Sequence, residues 1–412
     1  MNNRAVLGII FLTVFVDLLG FGMILPLLPI WAGKFTSNEY LIISLGSVFS
    51  LFQFFFAPVW GRLSDTLGRR PVIVYSLLGG SIAYAMMAFA DSLTTLYAAR
   101  ILQGVFTAGG LAAAPALIAD ITSPKDRTRG MGMIGAAFGL GFVFGPAFGA
   151  FLVKLGPQAP FIAAGLLACV NFLWAMKMLP ETRKPADSSN AHFFDFQRLK
   201  EALSNPALLF LFAMFFVNVL AFSNLEQTFS LFVKDNFHLA DQDATRRTGF
   251  LLTYVGVIAV VVQGGLIRPL TARFGEPRLL YGGLFLTGIG MLLTPLSQTL
   301  GALVFAVTFI SVGWGLVNPC TTSLISKTAG EDRQGGVLGL SQGIGSLARV
   351  FGPQLGGVTY TYLGIGWPYW IGGAILLLSA AFAAAFLAPV LRARAKENII
   401  TGETASDAEL NR

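Results

Sequence analysis

Apolar residues in this chain run in long blocks, and polar residues fall in the short gaps between them. Predominantly apolar windows lie at roughly 5–30, 40–60, 72–90, 94–118, 131–153, 159–179, 207–233, 248–267, 279–297, 300–325, 335–360 and 367–391, each about the length a helix needs to cross a bilayer. The pattern predicts an all-α polytopic membrane protein with twelve spanning helices. A β-barrel is excluded, because its strands alternate over about ten residues instead of staying apolar for twenty. The stretch 180–206 is polar, charged and interrupted by Pro180, Pro185 and Pro206, which predicts a linker. It would separate a six-helix bundle over 1–179 from a second over 207–391, with a polar tail over 392–412.

Composition supports this reading. Only 12% of the 412 residues are charged and 55% are hydrophobic, against roughly 25% charge in soluble domains. Cys169 and Cys320 both sit in apolar runs, which argues against a disulfide framework or a CxxC site. His192 and His238 are far apart in polar segments, so no metal-ligand cluster is expected. No nucleophile–base set or phosphate loop is visible either, so an enzyme is the least expected class and no cofactor is implied. The first apolar run contains Asp17 and continues too far for a cleavable signal peptide, and so reads as a first span.

The net charge of +7 follows the membrane, not nucleic acid. With the N-terminus inside, 21 of the 28 basic residues fall on the inner side, five on the outer side, and Arg100 and Arg349 within spans. That bias predicts two cytoplasmic termini.

The chain also repeats itself at an offset of 201 to 207 residues. FVDLLGF at 15–21 lies over FVNVLAF at 216–222, GRLSDTLGRR at 61–70 over RPLTARFGEP at 268–277, and KDRTRGMG at 125–132 over EDRQGGVL at 331–338. GFVFGPAFGA at 141–150 lies over ARVFGPQLGG at 348–357. Two parallel six-helix repeats imply an axis along the membrane normal, with substrate bound between them near the midplane.

The sharpest motif is the loop from Gly61 through Asp65, Gly68, Arg69 and Arg70 to Pro71. Gly61 and Gly68 would permit a tight turn between the second and third spans. Asp65 would face positive groups or a helix N-terminus, with Arg69 and Arg70 as its cationic counterpart. The copy in the second half has Ala272 where Asp65 stands. In the fifth span, Gly135, Gly139, Gly141, Gly145 and Gly149 clear one face for close helix packing, and Pro146 weakens the local backbone bonding. Gly343, Gly345, Gly352, Pro353, Gly356 and Gly357 repeat the device in the eleventh span.

In these residues the chain resembles the major facilitator superfamily, in particular its drug/proton antiporters and tetracycline exporters. The 61–71 loop matches motif A of that superfamily, Arg100 to Gly104 its motif B, and the Gly145-Pro146 helix the antiporter motif C. Asp17 with the LLGFGMILPLLP that follows it looks like the opening helix of the drug exporters. The resemblance implies that the fifth and eleventh helices form the seam on which two bundles rock, and that Arg100 takes part in proton transfer. It also makes a functional monomer the expectation. One departure points away from tetracycline: those exporters carry Asp before Tyr-Ala in the third span, and here Ala83 precedes Tyr84.

Four full charges fall inside predicted spans: Asp17, Arg100, Glu226 and Arg349. Each costs about 2.5–3.5 kcal/mol at the bilayer centre, so idle charges there are selected against. Glu226 departs from the repeat, lying over Leu25, and is the leading candidate for a proton or substrate-cation site. Asp17 is the next, since its repeat mate Asn218 cannot titrate. Arg349 replaces Phe142 and has three open roles: a partner for Glu226, a partner for Asp17, or an attractor of an anionic substrate group. Asn224, Gln227, Gln53, Asn218 and Asn318 are candidate cavity polar groups, and Phe52, Phe54, Phe55, Phe56, Phe212, Phe215 and Phe216 a candidate apolar wall.

These observations favour a proton-coupled antiporter that exports an amphipathic organic compound across a bacterial-type inner membrane, its partners being that small molecule, the proton and the bilayer. A symporter or uniporter of a metabolite, sugar or lipid-like molecule is the alternative transport class, since a fold alone does not set direction. A non-transporting sensor or scaffold is the alternative outside transport.

Overall fold

The computed structural model describes residues 3–122, 124–182, 204–329 and 334–401. Most of the expected linker, His192 and the end of the tail lie outside the described residues, as do Asp332 and Arg333 of the repeat. Side chains from 123 to 132 and from 388 onward are likewise outside the description.

Twelve long helices make up the described chain: α1 (Asn3–Ile24), α2 (Glu39–Thr66), α3 (Arg69–Ala88), α4 (Leu93–Ile121), α5 (Pro124–Leu152), α6 (Ala159–Met178), α7 (Pro206–Asn236), α8 (Asp241–Val261, continued by Ile267–Phe274), α9 (Glu276–Leu293), α10 (Leu300–Ala329), α11 (Gln334–Leu363) and α12 (Trp367–Thr401). No strand occurs among the described residues. Ten of the helices are long and apolar enough to cross a membrane. The other two are α5 and α11, the glycine-rich helices. Glycines and the polar Gln342, Arg349 and Gln354 interrupt the apolar run of α11, and among the described residues of α5 the apolar run covers Gly139–Leu155.

Local chemistry sets the helix starts. The Asn38 side chain accepts from Leu41 N at 3.3 Å, Ser92 Oγ from Thr95 N at 3.2 Å, and Asn205 Oδ1 from Ala207 N at 3.1 Å. Each occupies the cap position where a short polar side chain satisfies an orphan backbone donor. Pro206 follows Asn205 at the first helical position, where its missing N–H costs nothing.

Three expectations need correction. The first span does not run unbroken over 5–30: α1 stops at Ile24, and after a turn at Pro26 a short helix covers Leu28–Ala32. Gly61 is not a turn residue, because α2 continues through it to Thr66. The turn is made by Gly68 alone, at φ +104°. The eighth span starts earlier than 248, at Asp241, and is interrupted by a π-helical turn at Val262–Leu266 around Gly264 and Gly265.

The two ends of the bundle are built differently. At the end away from the N-terminus, one apolar core joins both halves of the chain through Trp31, Ile43, Phe161, Phe229, Phe232 and Tyr369, and within the second half it continues to the other end through Leu208, Leu211, Leu280 and Ile325. At the end that carries the N-terminus, a separate cluster of Val6, Ile10, Ile73, Leu117 and Leu179 belongs to the first half only.

Candidate functional site

The glycine stripe of α5 packs against α1, within the first half. A Cβ at Gly145 would lie 2.7 Å from the backbone of Gly22, and one at Gly141 2.7 Å from Leu18 Cβ. In α11, Gly352 likewise meets Leu220 and Ser223 of α7, and a Cβ at Gly345 would sit 2.9 Å from Phe215. The helices α5 and α11 also lie between the halves, through other members of the same stripes: a Cβ at Gly139 of α5 would lie 3.4 Å from Val260 of α8. Gly249 of α8 meets the Pro146 carbonyl and Ala150 of α5, while Gly357 of α11 meets Tyr40 and Ile43 of α2. Pro353 stays inside α11, as Pro146 stays inside α5.

Hydrogen bonds between the halves cluster at the end away from the N-terminus. The Tyr40 hydroxyl donates to Gln354 Oε1 at 2.6 Å, Ser47 Oγ to the Val350 carbonyl at 2.7 Å, and Gln242 Nε2 to the Val153 carbonyl at 3.3 Å.

One turn of α2 collects the membrane-depth charges. Arg100 of α4, two turns into its helix, is 2% exposed. Its Nε donates to the Leu45 carbonyl at 3.2 Å, its Nη1 to Gln103 Oε1 at 2.5 Å, and its guanidinium lies 4.3 Å over the Phe49 ring. The next residue, Gly46, leaves room for Gln227 of α7: a Cβ there would fall 2.5 Å from the Gln227 amide carbon. Ser47 then bonds the carbonyl of Val350, next to Arg349. Leu45, Gly46 and Ser47 thus bring the Arg100, Glu226–Gln227 and Arg349–Val350 segments together. Arg349 and Arg100 are the two charges that act on Glu226, one from each half. Among the described residues, neither Glu226 nor Asp17 has a hydrogen-bond or ion-pair partner, while Arg349 Nη2 donates to Ser346 Oγ at 3.1 Å.

Asp17 belongs to a neighbouring group, where it and Arg100 both act on the phenol of the buried Tyr84. Its repeat mate Asn218 is 1% exposed with both ends of its amide unpartnered. Asn224 donates to the Pro368 carbonyl at 2.7 Å, its Oδ1 buried without a partner. Asn318 is half-buried, one turn from Trp314, which stacks on Phe222 of α7 at 4.6 Å. Gln53 and Phe52, Phe54 and Phe56 are half-buried along α2; Phe212 and Phe215 are buried, Phe216 is half-buried, and Phe55 is exposed.

The 61–71 loop forms a second polar site. Arg69 Nη1 lies 2.8 Å from Asp65 and donates to Ser64 Oγ at 2.6 Å, and its Nε donates to Asp120 Oδ2 at 3.1 Å. Glu181, just past α6, accepts from the backbone N–H groups of Arg69 and Arg70 at 3.0 and 3.2 Å and so caps α3. Arg70 is therefore not a partner of Asp65 through its guanidinium, which donates to the Met176 carbonyl. At the repeat position in the second half, Glu276 accepts from Lys327 at 2.8 Å and from Ser323 at 2.7 Å. Sequence reading missed Asp120, Glu181 and Lys327. Their partners are 51 to 112 residues away, and no local period marks them.

The family model of the Major Facilitator Superfamily matches residues 10–353 and, in a second match, 266–408. The chain belongs to this superfamily. Among curated relatives of this facilitator, a class G tetracycline resistance protein of Vibrio anguillarum is 34% identical, over 92% of this chain and 96% of its own. Multidrug resistance protein 2 of Bacillus subtilis (strain 168) is 28% identical, over 92% and 94%. Among solved structures, the human organic anion transporter MFSD10 (TETRAN) is 27% identical with a TM-score of 0.69, over 93% of this chain and 100% of that one. This facilitator is thus a helical transporter of the family that includes tetracycline and multidrug exporters.

Proposed function

We propose that this protein is a proton-coupled antiporter that exports amphipathic organic compounds by alternating access. It works as a monomer, with both termini on the cytoplasmic side of a bacterial-type inner membrane. The halves 1–179 and 207–391 are the moving bodies. The observation that carries the reading is the meeting of Arg100, Glu226 and Arg349 around one turn of α2. An ionised Glu226 screens two cations, one from each half, from each other; a proton on it removes that screen. The charge state of one carboxyl thereby biases how closely the halves approach, and a bound substrate that prefers one approach is coupled to the proton. With the termini cytoplasmic, the hydrogen bonds between the halves seal the outer side. Substrate would enter from the cytoplasm and meet the Phe222–Trp314 stack and Asn318. Asp17 beside Tyr84 and Arg100 is the second proton site. The likeness to tetracycline and multidrug resistance proteins supports export.

A second reading rests on the two arginines. An anionic substrate paired with Arg349 would bind best when Glu226 carries a proton, so proton and anion would travel together; the organic anion named for the human relative fits this case.

Proteoliposomes under a pH gradient test both. Antiport predicts compound-induced proton release that is lost in Glu226→Gln, whereas proton–anion symport predicts compound and proton moving the same way. Normal exchange in Glu226→Gln, with loss in Asp17→Asn, would remove Glu226 from its role. If no member of a compound library moves in either direction, transport of this kind is excluded.

A further inference from the structure

Beyond its π-turn, the last part of α8 stands off from its own half. Residues 263–266 are exposed, and a Cβ on Gly264 or Gly265 would meet nothing within 4 Å. A cleft of about 460 Å³ opens between this segment, the start of α9 and α10. Ile267, Thr271 and Ala272 form one wall, Pro319 and Cys320 the other, and Arg268 stands at the edge. Glu276 and Ser323 close it at the α9 end.

Charge distinguishes this cleft from its counterpart in the first half. There, among the described residues, Arg62, Arg69 and Arg70 of the loop stand with Asp65, Asp120 and Glu181, an even balance. Here Arg268, Arg273, Arg278 and Lys327 are exposed, and Glu276 is the acid among the described residues of the same segment. Its carboxylate is already neutralised, both oxygens lying 2.8 Å from Lys327 Nζ. Ala272, in place of an acid, leaves the mouth net basic and its wall apolar.

We propose that this cleft binds an anionic phospholipid of the adjoining leaflet, an acyl chain against Ile267, Pro319 and Cys320 and the phosphate at Arg268. A guanidinium suits a phosphate because it offers two parallel donors. Clustered cations beside an apolar groove between helices, at the level of the headgroups, are the general recipe for anionic-lipid recognition. Occupancy would hold the end of α8 away from the bundle and so favour the conformation seen here.

Native mass spectrometry of the full-length protein, with phosphatidylglycerol and phosphatidylcholine supplied in equal amounts, tests the assignment. Phosphatidylglycerol should be retained in preference. Arg268→Gln, at an exposed position that leaves folding intact, should weaken retention about fivefold per cation removed. Arg246→Gln, at the opposite end of α8, is the charge-matched control and should change nothing. Ala272→Trp, which fills the cleft and keeps every charge, should abolish the preference. Equal retention of the two lipids, an Arg246→Gln effect as large as that of Arg268→Gln, or unchanged retention in Ala272→Trp would each overturn the proposal, leaving only general attraction of anionic lipids to a basic surface.

Discussion

The loops that link α2 to α3 and α8 to α9 occupy equivalent places in the two halves, share a backbone and invert its charges. Gly68 and Gly275 both take a positive φ with extended ψ, +104° and 162° against +79° and 154°. The residue after each glycine opens the next helix and pairs with a side chain near the end of the second helix downstream. In the first half that pair is Arg69 with Asp120; in the second it is Glu276 with Lys327. All four positions obey the same offset of 207 residues. The bridge is therefore retained where its sign is not, which shows that the geometry asks for a complementary pair at this corner. The two bridges differ in depth. Arg69 is 7% exposed and serves Asp65, Asp120 and Ser64 at once, whereas Lys327 is 67% exposed and, among the described residues, serves Glu276 alone.

Depth should dominate the response to mutation. Arg69→Ala would leave two partly exposed carboxylates without their shared, buried cation, a loss on the order of 2–3 kcal/mol for charged hydrogen bonds. Thermal unfolding in detergent should show a large drop, or no folded protein. Lys327→Ala removes a screened surface partner and should cost no more than about 1 kcal/mol. Equal destabilisation by the two would end the distinction drawn from burial.

The glycines come next. Both lie where a side chain is strained, worth about 1–3 kcal/mol. A Cβ at Gly275 would touch only Pro277 at 3.8 Å, while one at Gly68 would collide with the Glu181 carboxylate that caps α3. Gly68→Ala should therefore be the more damaging, and Glu181→Gln should lessen the difference little, because the side chain keeps its volume. Melting temperatures of the three variants settle the order.

Much of this was legible in the chain and some was not, for physical reasons. Apolar run length predicted the helices because every backbone group in a bilayer must be satisfied within its own segment. It did not reveal the stop at Ile24, because Pro26 lies within a run that stays hydrophobic on both sides. Nor did it reveal the π-turn, where two adjacent glycines loosen α8 without lowering its hydropathy. Asp17, Arg100, Glu226 and Arg349 stood out because charge is rare at depth. The convergence of the last three on Leu45, Gly46 and Ser47 could not be read, since it depends on four helices and both halves. The glycine stripe was visible, but not its direction: a stripe of small residues announces a close neighbour without naming it, and Gly145 meets α1.

Charge reversal gives the next comparison. Exchanging the partners as Glu276→Lys with Lys327→Glu should restore most of what each single reversal loses, since the pair is partly exposed and the Ser323 hydroxyl beside it can accept from a lysine as well as donate to a glutamate. The same exchange of Arg69 and Asp120 should fail, because Asp65 and Ser64 are built around the cation at 69. A double-mutant cycle on unfolding free energies measures the coupling in each half. Rescue in both halves, or in neither, would show that the two corners do not differ as their partners suggest.

The smallest effect concerns the residue that made the second loop look decayed. Asp65 sits four residues before Arg69 and bonds it at 2.8 Å. An aspartate at 272 would stand four residues before Glu276, acid against acid, so the inversion of the pair itself removes the reason for a carboxylate there. Ala272→Asp should then destabilise by a few tenths of a kcal/mol, the usual scale of a like-charge contact at this spacing. In a background carrying Glu276→Arg and Lys327→Asp, which gives the second half the signs of the first, the same substitution should become neutral or stabilising. A change of sign between the two backgrounds, read from the shift in melting temperature, would identify Ala272 as a residue selected by its neighbour's charge. The same cost in both would make it an ordinary loss.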